Sequence, residues 1–257
     1  MPQALQLFSW PAAVCLSPLA GSFAGVVIRR LPTRRDLFWS RSHCDACNCS
    51  LSPLCLVPIV SYLVLRGRCA MCGASISAFH PAVELSCVAI ACWAAVVDST
   101  PVWLWAACIL GWALLILSWI DAEHLRLPDA LTLPLLIAGV VMQGVLAPEK
   151  LPASLIGIFL GYTCFRGIAM AYRAIRGREG LGAGDAKLMA AAGAWLGWSV
   201  LPDVILLAAL LGILATMLGQ IKGQAIDRRT TIPFGPFLSA AIWLTYVYGP
   251  LLLPQLD

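Results

Sequence analysis

Eight apolar runs dominate the chain and leave it few ways to fold. They lie near residues 9–28, 82–98, 102–120, 131–147, 152–172, 185–200, 203–221 and 234–254. Of 257 residues, 60% are hydrophobic and 12% charged, against about 25% charged in soluble domains. Segments of this kind cross a bilayer as helices, because hydrocarbon offers backbone polar groups no partner outside the segment. The expected fold class is therefore an all-α membrane protein, a polytopic bundle of about eight transmembrane helices. The first run has a polar start, and the sixth is short and rich in small residues. The first also lacks a basic leader and runs directly into Arg29 and Arg30, which argues for a retained span over a cleaved signal peptide.

Basic residues orient the spans. If the first runs outside to inside, one side receives Arg29, Arg30, Arg34, Arg35, Arg41, Arg66, Arg68 and Arg126. The same side receives Arg173, Arg176, Arg178, Lys187, Lys222, Arg228 and Arg229, so it holds fifteen of the seventeen basic residues. Lys150 falls on the other side and Arg166 within a span. Positive charge concentrates on cytoplasmic loops, so both termini are expected outside. The net charge of +4 is then a topology signal, and no nucleic-acid partner is expected.

The sequence divides into a first transmembrane segment (1–28), one sizeable polar insert (29–80) and a membrane bundle (81–257). The insert carries Cys44-x2-Cys47 and Cys69-x2-Cys72. Paired knuckles at this separation point to a tetrahedral Zn2+ site with four thiolate ligands. A disulfide framework is disfavoured on the reducing cytoplasmic side, and bound metal would supply folding energy to an insert too small for its own core. Cys49 and Cys55 lack the paired spacing. Cys15, Cys87, Cys92, Cys108 and Cys164 lie within spans and are expected to act as small apolar side chains.

Two acids stand at span ends. Asp121 closes the run 102–120, and Asp185 ends Gly182-Ala183-Gly184-Asp185 before the next run. An ionisable group at membrane depth costs about 2.5–3.5 kcal/mol on insertion scales and marks a functional site by default. Both fall at the same depth on the cytoplasmic side. A bundle can bring them together to share one proton, which is the chemistry of an aspartic protease. The alternative for Asp185 is a helix N-cap; Gly182 and Gly184 argue against it, by allowing positive φ and close approach of another chain. Asp129 after Pro128 is expected to be an N-cap, Glu123 and His124 to be solvated, and Lys187 to snorkel. Glu84 lies just inside a span, facing either the zinc loop, a ligand pocket or nothing but a helix N-terminus.

In order and spacing these segments resemble the type IV prepilin peptidases, membrane aspartyl proteases of the GxGD type. The resemblance begins at Gly21-Ser22-Phe23 and Arg30-Leu31-Pro32 and continues through the double cysteine motif, Leu65-Arg66-Gly67-Arg68-Cys69 and Val83-Glu84-Leu85. It runs on through Ile120-Asp121, Leu127-Pro128-Asp129, Gly180-Leu181-Gly182-Ala183-Gly184-Asp185 and Ile232-Pro233-Phe234-Gly235-Pro236-Phe237. Gly25 departs from the asparagine common in that family, and 51–58 is more apolar than usual.

The resemblance implies Asp121 and Asp185 as catalytic residues, with Gly182 and Gly184 supporting the second. It implies cleavage of leaders from type IV prepilins or type II secretion pseudopilins at the cytoplasmic face of the bacterial inner membrane. It also implies N-methylation of the new amino terminus with S-adenosyl-L-methionine, associated with the region bearing Cys44, Cys47, Cys69 and Cys72. Three other readings stay open: a peptidase with a purely structural zinc loop, a proton-coupled transporter using the same acids as a relay, and a scaffold of a secretion machine.

Overall fold

The structure, a computed structural model, describes residues 9–34, 36–37, 42–97, 100–177, 182–221 and 232–252. Arg35, Arg41, Arg178, Gly180, Leu181, Lys222, Arg228 and Arg229, with the ends of two expected spans (98 and 253–254), lie outside them. Among the described residues there is no strand. Among the described residues α-helices occupy all eight apolar runs, and a ninth, short α-helix lies in the polar insert. In chain order they are α1 (Ser9–Arg30), α2 (Val60–Val64), α3 (Phe79–Val97), α4 (Pro101–His124) and α5 (Asp129–Leu146). After them come α6 (Leu151–Arg176), α7 (Ala183–Leu196), α8 (Leu201–Ile221) and α9 (Gly235–Tyr248).

Six of these, α1, α3, α4, α5, α6 and α8, are long and apolar enough to cross a bilayer, and the chain is a multi-pass membrane protein. The 14-residue α7 and α9 are shorter. At 1.5 Å per residue each reaches only about 21 Å, less than the roughly 30 Å of a hydrocarbon core. Small residues and glycine ends explain this. Gly182 precedes α7, while Gly197 (φ 83°) and Gly249 (φ 78°) close α7 and α9 in backbone conformations that favour glycine.

Two compact units divide the chain, residues 1–116 and 117–257. In the first, α1 packs along α3, and Gly21 makes the approach possible. A Cβ there would lie 2.5 Å from the Glu84 Cα. The indole of Trp112 donates to the Cys87 carbonyl at 3.1 Å, tying α4 to α3.

In the second unit α7 is the buried centre, with every residue from Asp185 to Trp195 except Lys187 shielded. α6 lies against it backbone to backbone; a Cβ on Gly193 would sit 2.2 Å from the Gly157 carbonyl carbon. α5 is fastened by a reciprocal pair, Trp195 Nε1 to the Leu135 carbonyl (2.8 Å) and Gln143 Nε2 to the Trp195 carbonyl (2.7 Å). Asp203 of α8 accepts the N–H groups of Leu251 and Leu252 at 3.1 and 2.7 Å, anchoring the chain beyond α9. Ile213, Leu214, Met217 and Leu218 of α8 are exposed in the isolated chain, as suits a face turned to lipid.

Candidate active site

Asp121 sits in the last turn of α4, and Asp185 is the third residue of α7. Both belong to the second unit, and both are nearly shielded, at 6% and 7% exposure. The Asp121 charge is felt at Asp185, so the two carboxylates lie within electrostatic reach of each other.

Each is held in the same way. Asp121 Oδ2 accepts the Gly235 N–H at 2.8 Å, and Asp185 Oδ2 accepts the Gly182 N–H at 3.1 Å. Among the described residues no donor bonds to the second oxygen of either acid. Gly235 opens α9, so its N–H carries the positive end of that helix toward Asp121. The approach needs glycine, because a Cβ at 235 would stand 2.6 Å from Asp121 Oδ2. The segment Pro233-Phe234-Gly235-Pro236 is conspicuous in the sequence, yet nothing there ties it to an acid more than a hundred residues earlier.

The glycines before Asp185 act differently from the sequence expectation. Gly182 has φ −69°, and neither it nor Gly184 has positive φ. Gly182 is the N-cap, and Asp185 at the third helical position bonds back to its N–H, as the acid of a capping box does. Gly184 makes room for the protein's own Leu127, whose Cβ would lie 2.7 Å from a Cβ at 184. Asp185 thus bonds back to the N-cap N–H and is a shielded carboxylate at once, so the two readings of the sequence do not exclude each other.

Two further expectations change. Pro128 holds the N-cap position of α5 without a side-chain bond, and Asp129 is the first helical residue. Asp129 instead pairs with Lys187, two residues from Asp185, so this lysine is tied to a carboxylate. Both side chains keep substantial exposure, which leaves the pair a positioning contact of small energy. Glu123 accepts the Trp119 indole at 2.9 Å.

The four cysteines of the paired motif converge in the first unit. Their sulfurs all lie within 4.8 Å of one another, with Cys44 and Cys72 at 3.9 Å. A tetrahedron with metal–sulfur bonds of about 2.3 Å has edges of about 3.8 Å, so the donor set fits a thiophilic metal ion.

The two knuckles are built alike. The Asn48 and Gly73 N–H groups each bond the carbonyl of the first cysteine at 2.9 Å, and both residues have positive φ. Cys44 and Cys69 N–H groups return to Cys49 and Ala74 carbonyls, beside the isolated bridges His43–Ser50 and Arg68–Ser75. N–H donors from Cys72 and Met71 lower the Cys69 thiol to about 6. At Cys47 the Cys49 N–H also favours thiolate. The Cys49 thiol, burial and the Cys72 and Cys44 thiols outweigh it and push Cys47 up to about 12. Four neighbouring thiolates need a cation to coexist. Cys55 instead takes the Ser52 hydroxyl at 3.3 Å, outside the cluster.

Glu84 is also in the first unit and is 7% exposed. It accepts the Ile59 N–H at 2.7 Å.

Residues 108–217 match the model of the type IV leader peptidase family, and residues 15–97 match that of the bacterial Peptidase A24 N-terminal domain. Curated relatives named prepilin leader peptidase/N-methyltransferase align over nearly everything. The one from Stutzerimonas stutzeri is 36% identical, with 92% of this chain and 90% of that protein covered. Those from Aeromonas salmonicida strain A449 (37% identical, 91% and 88% covered) and Pseudomonas aeruginosa (33%, 97% and 95%) agree.

The chain belongs to the type IV leader peptidase family. No solved structure matches it. The leader peptidase match contains Asp121 and Asp185, and the N-terminal match contains the four clustered cysteines and Glu84.

Proposed function

We propose that the protein is a membrane aspartic endopeptidase that removes the leader from type IV prepilins or type II secretion pseudopilins, with Asp121 and Asp185 as its catalytic pair. The observation that carries this reading is the matched restraint of the two acids. A glycine N–H fixes one oxygen of each and leaves the other available. Two close carboxylates retain one proton between them, because both ionise together only at high cost. The ionised member takes a proton from water as it attacks the scissile carbonyl, and the protonated member donates to the carbonyl oxygen or leaving amine. The roles belong to the pair, and neither acid has a fixed one.

The basic residues favour a cytoplasmic position for the polar insert and for both acids, in the bacterial inner membrane. A substrate's basic leader would stay in water while its apolar segment lies along the bundle. The family and the names of its relatives support a second activity, N-methylation of the new amino terminus. S-adenosyl-L-methionine would supply the electrophilic methyl group when bound. Cys44, Cys47, Cys69 and Cys72 would hold a structural Zn2+ that stabilises the polar region.

Mass spectrometry of a cognate prepilin incubated with the purified protein, with and without S-adenosyl-L-methionine, tests the reading. Loss of the leader, followed by a methyl-sized gain only with the donor, is expected. Proton-coupled flux without any cleavage would instead favour the transporter.

Two substitutions probe the supports. Gly235→Ala brings a methyl group against the Asp121 carboxylate, so cleavage should fall by about 100-fold or more, the scale of losing positioned acid–base chemistry. Zinc content is expected to be unaffected, and retention of full cleavage would show that the Gly235 contact is dispensable. For the metal, elemental analysis should find one zinc per chain in the wild type and none in Cys69→Ser. Methyl transfer should be lost in that variant while leader removal persists in part.

A further inference from the structure

Glu84 is a shielded carboxylate with no part in the peptidase chemistry. It stands in the second turn of α3, its Cα pressed against Gly21 of α1, so its backbone cannot retreat. The Ile59 N–H bonds Oε2, and among the described residues no donor reaches the other oxygen. A carboxylate 93% removed from solvent with one oxygen unpartnered is costly.

The tether is itself strained. Ile59 has φ 61° and ψ −52°, a conformation that β-branched residues rarely adopt. Such strain persists where the surroundings hold it in place, and it concentrates at working sites.

Among the described residues no basic side chain pairs with Glu84. α1 offers Gly21 and the polar insert offers a backbone N–H. Arg29 stacks over the Phe79 ring at 4.2 Å and acts on His80, not on Glu84. Among the described residues the surroundings of Glu84 thus hold an acceptor and no cation.

We propose that Glu84 is the proton acceptor for methyl transfer, taking a proton from the ammonium of the newly cut amino terminus. This rests on the transferase half of the functional reading. An ammonium has no lone pair and cannot attack carbon. When Glu84 removes one proton, the freed pair on nitrogen attacks the methyl carbon of the sulfonium donor. The C–N bond forms as the C–S bond breaks, and the sulfur leaves as a neutral thioether with the bonding pair. The product is a methylammonium, and Glu84 returns its proton to water.

Glu84→Gln keeps the shape and an acceptor for the Ile59 N–H but cannot take a proton. At neutral pH it should lower methyl transfer by about 100-fold, the lower scale of general base catalysis. The deficit should shrink as pH rises past the α-amino range of about 7.7–8.0, where the free amine exists without help. Leader removal and zinc content report on folding in the same preparation. A second readout needs no donor and no variant. Wild-type protein should bind a peptide bearing the mature free amino terminus at least about tenfold more tightly than its N-acetylated form, the scale of one charge-assisted hydrogen bond.

Methyl transfer by Glu84→Gln close to the wild-type rate would overturn the proposal, as would a pH-independent deficit or equal binding of the two peptides. A defect confined to donor affinity would overturn it too, placing Glu84 at the donor. If wild-type protein cuts leaders but transfers no methyl group, the transferase reading fails and this role with it. If wild type does both and the variant matches it, only the role of Glu84 fails.

Discussion

Replacing either Asp121 or Asp185 by Asn should reduce leader cleavage by at least about 1000-fold, within the range carried by positioned acid–base groups. The protein should still insert and fold. Asn keeps an oxygen for the Gly235 or Gly182 N–H, so each backbone restraint survives. What disappears is the shared proton, since an amide neither takes the proton of the attacking water nor donates one to the carbonyl. Removing one of two close carboxylates also relieves their mutual repulsion, so stability should stay level or rise slightly. A loss of cleavage with equal or greater thermal stability in detergent is a combination that a structural role for these acids would not produce.

The largest effect on stability is expected at Gly193. Its Cβ position lies 2.2 Å from the Gly157 carbonyl carbon and 2.3 Å from the carbonyl oxygen, so the obstacle is backbone on both sides. No rotamer change relieves such a contact; α6 and α7 must separate. In a membrane, where water does not drive helices together, close backbone packing at small residues is a main source of association. Gly193→Val should cost at least about 3 kcal/mol, the upper part of the overpacking range, read as a lowered unfolding midpoint in detergent. Cleavage should fall with it, because α7 carries Asp185. Gly167→Ala is the control. Gly167 is exposed on the same α6 helix with nothing within 4 Å, so gaining a methyl group there should be neutral or favourable.

The spans, the paired cysteines and both acids are legible in the sequence because each leaves a local signature. Apolar runs have a length, the knuckles have a spacing, and a carboxylate at the edge of a greasy segment has a desolvation cost. Long-range contacts leave none. Gly235 reaches Asp121 across more than a hundred residues, and only the folded chain shows that its N–H bonds that carboxylate. The Asp129–Lys187 pair is hidden for the same reason, and there a local rule misleads: Asp after Pro suggests an N-cap, yet the turn begins one residue earlier. The role of Gly184 is likewise misplaced by a local argument, since the demand it meets is space for Leu127 and not positive φ. The short lengths of α7 and α9 are set by glycine closures that a hydropathy window passes over.

Whether Asp121 and Asp185 act as one unit is read by comparing four proteins in one prepilin cleavage assay: wild type, Asp121→Asn, Asp185→Asn and the double variant. Groups that share a proton are lost together, so the effects of removing them do not add. Both single variants and the double variant are expected to fall to the same floor. A double variant far slower than either single, or a single variant that retains substantial cleavage, would contradict it.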